Sequence, residues 1–169
     1  NLSAASGQSV TVDYATASGT ATSGTDFTAA SGTLTFTAGQ TSKTVDVTIT
    51  NDALDEADED FTFTLSNPTN TSIVDATQTI TITDDDAAPT VSVSATTATV
   101  AENVASGKIT VTVNLSAASG QSVTVDYATA SGTATSGTDF TAASGTLTFT
   151  AGQTSKTVDV TITNDALDE

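Results

Sequence analysis

Apolar and polar residues alternate with a period of two in seven short stretches of residues 1–113: 10–14 (VTVDY), 34–36 (LTF), 45–49 (VDVTI), 61–65 (FTFTL), 80–82 (ITI), 91–93 (VSV) and 109–113 (ITVTV). Successive side chains of a strand point to opposite faces, so each stretch predicts a half-buried β-strand; none shows the 3.6-residue spacing of an amphipathic helix. A sequence this rich in Thr, Ser, Ala and Gly can be low-complexity coil, but a regular apolar face on every stretch argues for a folded all-β chain. Its core is expected to rest on Phe36, Phe61, Phe63, Val45 and Ile80.

Residues 1–56 recur letter for letter as residues 114–169, an offset of 113 residues, so the chain holds one and a half copies of a single unit. That period is too long for a solenoid repeat of roughly 20 to 50 residues and suits whole domains of about 100 residues in series. Identical copies multiply length or valency without adding chemistry, which favours a structural or binding role over catalysis.

Pro89 follows the run Asp84, Asp85, Asp86 and precedes Val91, which puts the start of a domain near Ala87. Strand A then covers about residues 90–95 with a continuation to 101, strand B covers 107–115, and C, D and E follow; F and G are found in the first copy. Residues 1–86 thus supply strands C to G without A and B, and residues 87–169 supply A to E without F and G, a tandem array of seven-stranded sandwiches cut in mid-domain at both ends. Such halves leave core faces and strand edges bare, so neighbouring identical repeats, in the same or adjacent chains, are the expected partners.

Alternating strand direction in a seven-strand sandwich sends the AB, CD and EF loops and the tail after G to one pole. Glu102 falls in AB, Asp26 in CD, Asp52, Asp55, Glu56, Asp58, Glu59 and Asp60 in or beside EF, and Asp84, Asp85 and Asp86 after G. Eleven of the fourteen acids of residues 1–113 therefore share one pole, and only Asp13, Asp46 and Asp75 lie elsewhere. The opposite pole carries neutral loops such as residues 116–121 (SAASGQ), 38–40 (AGQ) and 67–71 (NPTNT).

The chain has no His, Cys, Met or Trp and only 3 Lys plus Arg against 20 Asp plus Glu, for a formal charge of -17. Imidazole bases and thiolate nucleophiles are missing, so the chain reads as a non-enzyme. Net negative charge without a basic stripe excludes nucleic acid as a partner, and no apolar run approaches the ~20 residues that would insert into a membrane. An acidic loop is by default a solvated surface, but eleven acids crowded at one pole with no Lys or Arg in these loops repel one another unless cations neutralise them. Carboxylates without imidazole or thiolate select hard ions, and Ca²⁺, which takes 6 to 8 oxygens in flexible geometry, suits such a cluster better than Mg²⁺. Paired carboxylates also serve glycoside hydrolysis, but the sugar cleft and aromatic platforms which that chemistry requires have no counterpart here.

Residues 13–27 (DYATASGTATSGTDF), 32–36 (GTLTF), 39–43 (GQTSK), 51–61 (NDALDEADEDF), 65–67 (LSN) and 84–86 (DDD) together resemble the Calx-beta domain, and the likeness covers the whole unit. The resemblance implies a seven-stranded, immunoglobulin-like, Ca²⁺-binding sandwich, of the kind found in sodium/calcium exchangers and, as long tandem arrays, in bacterial surface proteins and adhesins. It puts metal ligands at Asp26, Asn51, Asp52, Glu56, Glu59, Asp84, Asp85, Asp86 and Glu102, and in the second copy at Asp139, Asn164, Asp165 and Glu169. Asn51 and Ala53 stand where many members carry Asp, which lowers the ligand charge.

Only Ala87, Ala88 and Pro89 separate the Asp run from the next strand, and at ~3.5 Å per residue they cannot double back along a sandwich. Strand A is therefore expected to enter the next body, placing the metal pole at the joint between domains. The expected function is a calcium-stiffened extender, or stalk, in a large secreted or bacterial cell-surface repeat protein, an adhesin. The alternatives are a Ca²⁺-sensing regulatory module, against which exact duplication argues, and a ligand-binding head, for which Thr/Ser/Ala-rich loops lacking Trp make a poor hot spot.

Overall fold

The structure, a computed structural model, describes residues 1–165, and these fold as two all-β units without a helix among the described residues. The first unit comprises Asn1–Ala53 and Ala57–Asp84; the second comprises Leu54–Glu56 and the chain from Asp85 onward.

In the first unit, β1 (Val10–Ser18), β2 (Ser31–Phe36), β3 (Glu59–Thr69) and β4 (Thr77–Ile82) form an antiparallel sheet in the order β2-β1-β3-β4. Alternation sets the register: Val10 opposes Phe36 and Val12 opposes Leu34, so both apolar rows fall on one face. Tyr14 opposes Gly32 and lays its ring over the glycine, where a Cβ would lie 3.1 Å from the Tyr14 hydroxyl; the same ring stacks on Phe63 at 5.6 Å. Val10, Val12 and Phe36 make one buried cluster, and Ala21, Phe27 and Phe61 make another.

In the second unit, β5 (Val91–Val93), β6 (Lys108–Leu115) and β9 (Ser155–Thr161) form one sheet in the order β5-β6-β9, and β7 (Val123–Ala128) with β8 (Ser144–Phe149) forms the other. Val113, Leu115 and Phe149 are buried between them, with Val123, Val125 and Leu147 packed around.

Six of the seven alternating stretches are strands. Residues 45–49 are not: only Ile49 makes a bridge, to Phe27, although the same letters at 158–162 provide most of β9. The physical difference is a partner, because β9 bonds to β6 along its length and residues 42–48 have no such neighbour among the described residues. The strand expected over residues 90–101 shortens to β5, with residues 94–101 outside any strand. The neutral loop expected at residues 67–71 begins later, since β3 runs on to Thr69.

Candidate metal centre

Two buried rings build the acidic site of the first unit. Phe27 and Phe61 are 0% and 1% exposed and stack at 4.3 Å between centroids with an interplanar angle of 16°. Asp26 immediately precedes the first ring, and Glu59 and Asp60 lead into the second at the start of β3, so packing the rings fixes where these acids emerge. Carboxylate oxygens of Asp26 and Glu59 then lie within 4.8 Å of each other, both side chains half-buried.

The turn holding Asp26 is closed on itself. Asp26 Oδ2 accepts the Thr22 N–H at 2.6 Å, the Asp26 N–H donates to the Thr22 carbonyl at 3.0 Å, and Gly24 takes φ +98°, a conformation side chains rarely adopt. Thr50 donates its N–H to the Asp26 carbonyl at 2.9 Å, which brings exposed Asn51 and Asp52 onto the chain just beyond the same turn. Asp60 is occupied elsewhere: its Oδ1 accepts the Thr20 N–H at 3.2 Å, while its own N–H donates to Thr20 Oγ1 at 2.7 Å. Asp58 Oδ1 accepts the Asp84 N–H at 3.1 Å, tying the chain after β4 to the segment before β3. Within the first unit the carboxylates of Asp26 and Glu59 are thus brought together, and the Asp58 carboxylate meets the backbone of Asp84.

The remaining expected residues are distributed over the second unit. Asp139 sits in a turn of identical build, its Oδ2 accepting the Thr135 N–H at 2.6 Å with Gly137 at φ +96°, and Thr163 donates to its carbonyl at 2.9 Å. Glu102 Oε1 accepts the Asp165 N–H at 3.3 Å, joining the loop before β6 to the chain after β9, while Asn164 is exposed. Asp85 is exposed and Asp86 half-buried; Glu169 lies outside the described residues. Glu56 is grouped with the second unit, where it packs so closely on Gly120 that a Cβ there would meet its Oε1 at 2.6 Å.

Sequence reasoning missed Ser119 and Gly120. Ser119, 2% exposed, donates through Oγ to Asp55 Oδ2 at 2.9 Å, and Gly120 donates its N–H to the Asp55 carbonyl at 3.0 Å. The loop containing them is neutral, and no acid in its sequence marked it as a partner for the acidic run.

Two acids away from the cluster have perturbed carboxyls. The Thr33 hydroxyl, donating at 2.5 Å, and then the Asn67 amide at 2.9 Å hold the Asp13 carboxyl below its ordinary value. The Lys108 ammonium, paired with Asp159, and then the Thr110 hydroxyl do the same for Asp159.

Asp26 and Glu59 offer carboxylate oxygen and nothing softer, so the pair fits a hard cation. Two such charges side by side are stable when an ion or solvent screens them.

The family model for the Calx-beta domain matches residues 2–86 and again residues 84–169. Among solved structures, the chain is similar to CBD12 from CALX1.2, at 30% identity over 95% of this chain and 65% of that one, with a TM-score of 0.47. It is also similar to the calcium binding domain CBD12 of CALX1.1, at 26% identity over 90% of this chain and 62% of that one, with a TM-score of 0.47. The apo-form Calx CBD1 domain matches at 35% identity over 47% of this chain and 72% of that one, with a TM-score of 0.40. The chain therefore spans just under two thirds of the length of the first two. No curated protein matches it. Matched by one family model twice, over residues 2–86 and 84–169, the chain belongs to the Calx-beta domain family.

Proposed function

We propose that this chain is part of a calcium-stiffened stalk in a large secreted or bacterial cell-surface repeat protein, an adhesin, whose tandem sandwiches give reach. The observation that carries the reading is the unaltered recurrence of residues 1–56 as 114–169. Exact duplication serves a spacer, in which every module does the same mechanical work, better than it serves a regulator.

Calcium is supported by the donor set. At a Ca–O distance of about 2.4 Å, two ligands of one ion lie at most about 4.8 Å apart, and the Asp26 and Glu59 oxygens meet that limit. Asn51, Asp52, Glu56, Asp84, Asp85, Asp86 and Glu102 are the further donors of the proposed set, and Asp139, Asn164, Asp165 and Glu169 are the second-copy counterparts of Asp26, Asn51, Asp52 and Glu56. Asp84 ends the first unit and Asp85 opens the second, so an ion holding this run would restrain the segment leading from one to the other. Without the ion, the like charges would leave that segment free to bend.

Calorimetric titration of the chain with Ca²⁺, paired with melting in excess Ca²⁺ and in chelator, tests the reading. A stalk working at extracellular calcium levels should saturate at about 10⁻⁴ to 10⁻³ M and melt higher with the ion. Identical melts would remove calcium from the function. Saturation at micromolar or lower Ca²⁺ would favour the regulatory sensor instead.

A further inference from the structure

Strands β2 and β8 carry the same six residues, SGTLTF, and each ends a sheet. β2 pairs with β1 and β8 with β7 along one side only; no strand or bridge among the described residues runs along the other side. That bareness does not depend on which strands surround the edge. β3 and β4, present in the first unit, do not cover β2, and β5, β6 and β9, present in the second, do not cover β8. Between them the units contain each strand of the repeat, and none covers this edge in the unit that holds it. Exposure along β2 and β8 is also identical residue for residue. The free edge therefore belongs to the repeat itself.

A bare edge is a template for pairing with another chain, and folded proteins guard theirs with charge, proline, bulges or brevity. In the second unit β5 is only three residues long, and β9 carries Lys156 and Asp159. β2 and β8 have neither charge nor proline, and their register with β1 and β7 is unbroken. Phe36 and Phe149, 3% and 0% exposed, anchor one end of each strand in the core and so hold the edge extended. On a chain of formal charge -17, such an unguarded neutral edge is where a second copy meets least like charge.

Hydroxyl chemistry selects the partner and the register. Thr33 donates its hydroxyl proton to Asp13 and Thr146 donates its own to Asp126, both at 2.5 Å, so these two threonine oxygens are left to accept. Thr35 and Thr148, next along the same exposed row, each carry a proton that can be donated outward. An antiparallel copy of the strand centred on Leu34 sets Thr35 of one against Thr33 of the other, twice by symmetry, with Leu34 opposite Leu34 on the core side. Centring on Thr33 would oppose two acceptors. A strand whose donor and acceptor are exchanged by a two-fold axis is complementary to itself.

We propose that β2, and β8 in the second copy, is a self-pairing edge through which repeats of two different chains join side by side, antiparallel, into one continuous sheet. The partner extends a finished sheet edge and replaces no strand of the repeat. The pairing requires neither an ion in the acidic cluster nor a stalk role for the array.

The chain contains no cysteine, so disulfides can report the register. A Thr33→Cys/Thr146→Cys chain is mixed, under mild oxidation, with a Thr35→Cys/Thr148→Cys chain. Directly opposed residues of an antiparallel pair lie about 4.5–5.5 Å apart between Cα atoms, within disulfide reach. The mixed disulfide dimer should form about tenfold or more faster than the like-with-like dimer of either chain, and faster by a similar factor than the dimer with a Thr79→Cys chain, whose thiol is exposed on β4. Excess unsubstituted chain should suppress the cross-link. An equal excess of a Thr35→Val/Thr148→Val chain, which lacks the donor but is more apolar, should suppress it severalfold less. A mixed dimer that forms no faster than the like-with-like dimers or the Thr79→Cys control overturns the inference. Equal or stronger suppression by the valine chain overturns it too.

Discussion

Asp26 and Glu59 bring carboxylate oxygens within 4.8 Å of each other across the first unit, held there by the stacked rings of Phe27 and Phe61. Two partly exposed like charges at that separation repel by about 1 kcal/mol at the dielectric constant of water. Asp26→Asn removes the repulsion while keeping an oxygen to accept the Thr22 N–H. In chelator the variant should melt at or slightly above the parent; in excess Ca²⁺ it should melt below it, because a ligand charge is gone. Scanning calorimetry under the two conditions checks the reversal, and a variant less stable in both would make the Asp26 charge structural.

The ring pair itself should dominate the stability of the first unit. Phe27→Ala removes a fully buried side chain and its stacking partner's contact, at about 3–5 kcal/mol. Phe140, the same residue in the second unit, is 8% exposed and stacks on no ring among the described residues, so Phe140→Ala should cost about 1 kcal/mol less. Urea titration followed residue by residue by NMR separates the two units.

Strand alternation made the sheets legible, because a half-buried strand must place every second side chain in the core; β1 and β6 follow the pattern closely, whereas along β3 only Phe61 is buried. Phe36 and Phe61 are buried as the pattern requires, but Phe63, Val45 and Ile80 are only half-buried. Phe27, more buried than any of these three, was invisible to the pattern because it sits in a turn outside every alternating run. Residues 42–48 show the limit in another way: their letters encode a strand, yet a strand exists only where a neighbour takes up its backbone groups. For the candidate site, the sequence made the grouping of loop acids legible but not the pairings. Which carboxylate meets which depends on ring packing and on Thr20 and Ser119, neutral residues with no charge to announce them.

Two carboxyls should couple folding to acid through linkage. Asp13, held below its ordinary value of 3.8 by the Thr33 and Asn67 side chains, and Asp159, held below it by Lys108 and Thr110, bind protons less readily folded than unfolded. Their contribution to stability is therefore fully present above the unfolded value and is lost as pH falls through the folded value. Carboxyl ¹³C titration should put both midpoints below 3.8. Asp13→Asn should lower the melting temperature modestly at neutral pH, where the contribution is fully present, and flatten its fall below that pH.

Ser119 tests how far context alone separates identical letters. Its counterpart Ser6 is half-buried and accepts the Gln8 N–H at 3.0 Å, whereas Ser119 is 2% exposed, accepts the Gln121 N–H at 3.0 Å and also donates to Asp55 Oδ2 at 2.9 Å. Ser119→Ala would remove the acceptor of the Gln121 N–H, a partly buried bond, and release the Asp55 carboxylate, a loss of about 1–3 kcal/mol. Ser6→Ala gives up one water-accessible bond and should cost roughly 0.5 kcal/mol. Because the Gly120 N–H bonds to the Asp55 carbonyl at 3.0 Å, its hydrogen exchange reports whether residues 54–56 stay docked. Exchange there should accelerate about tenfold or more in Ser119→Ala and remain at the parent rate in Ser6→Ala. Equal exchange in both variants would show that the backbone bond, not the serine hydroxyl, holds the acidic segment in place.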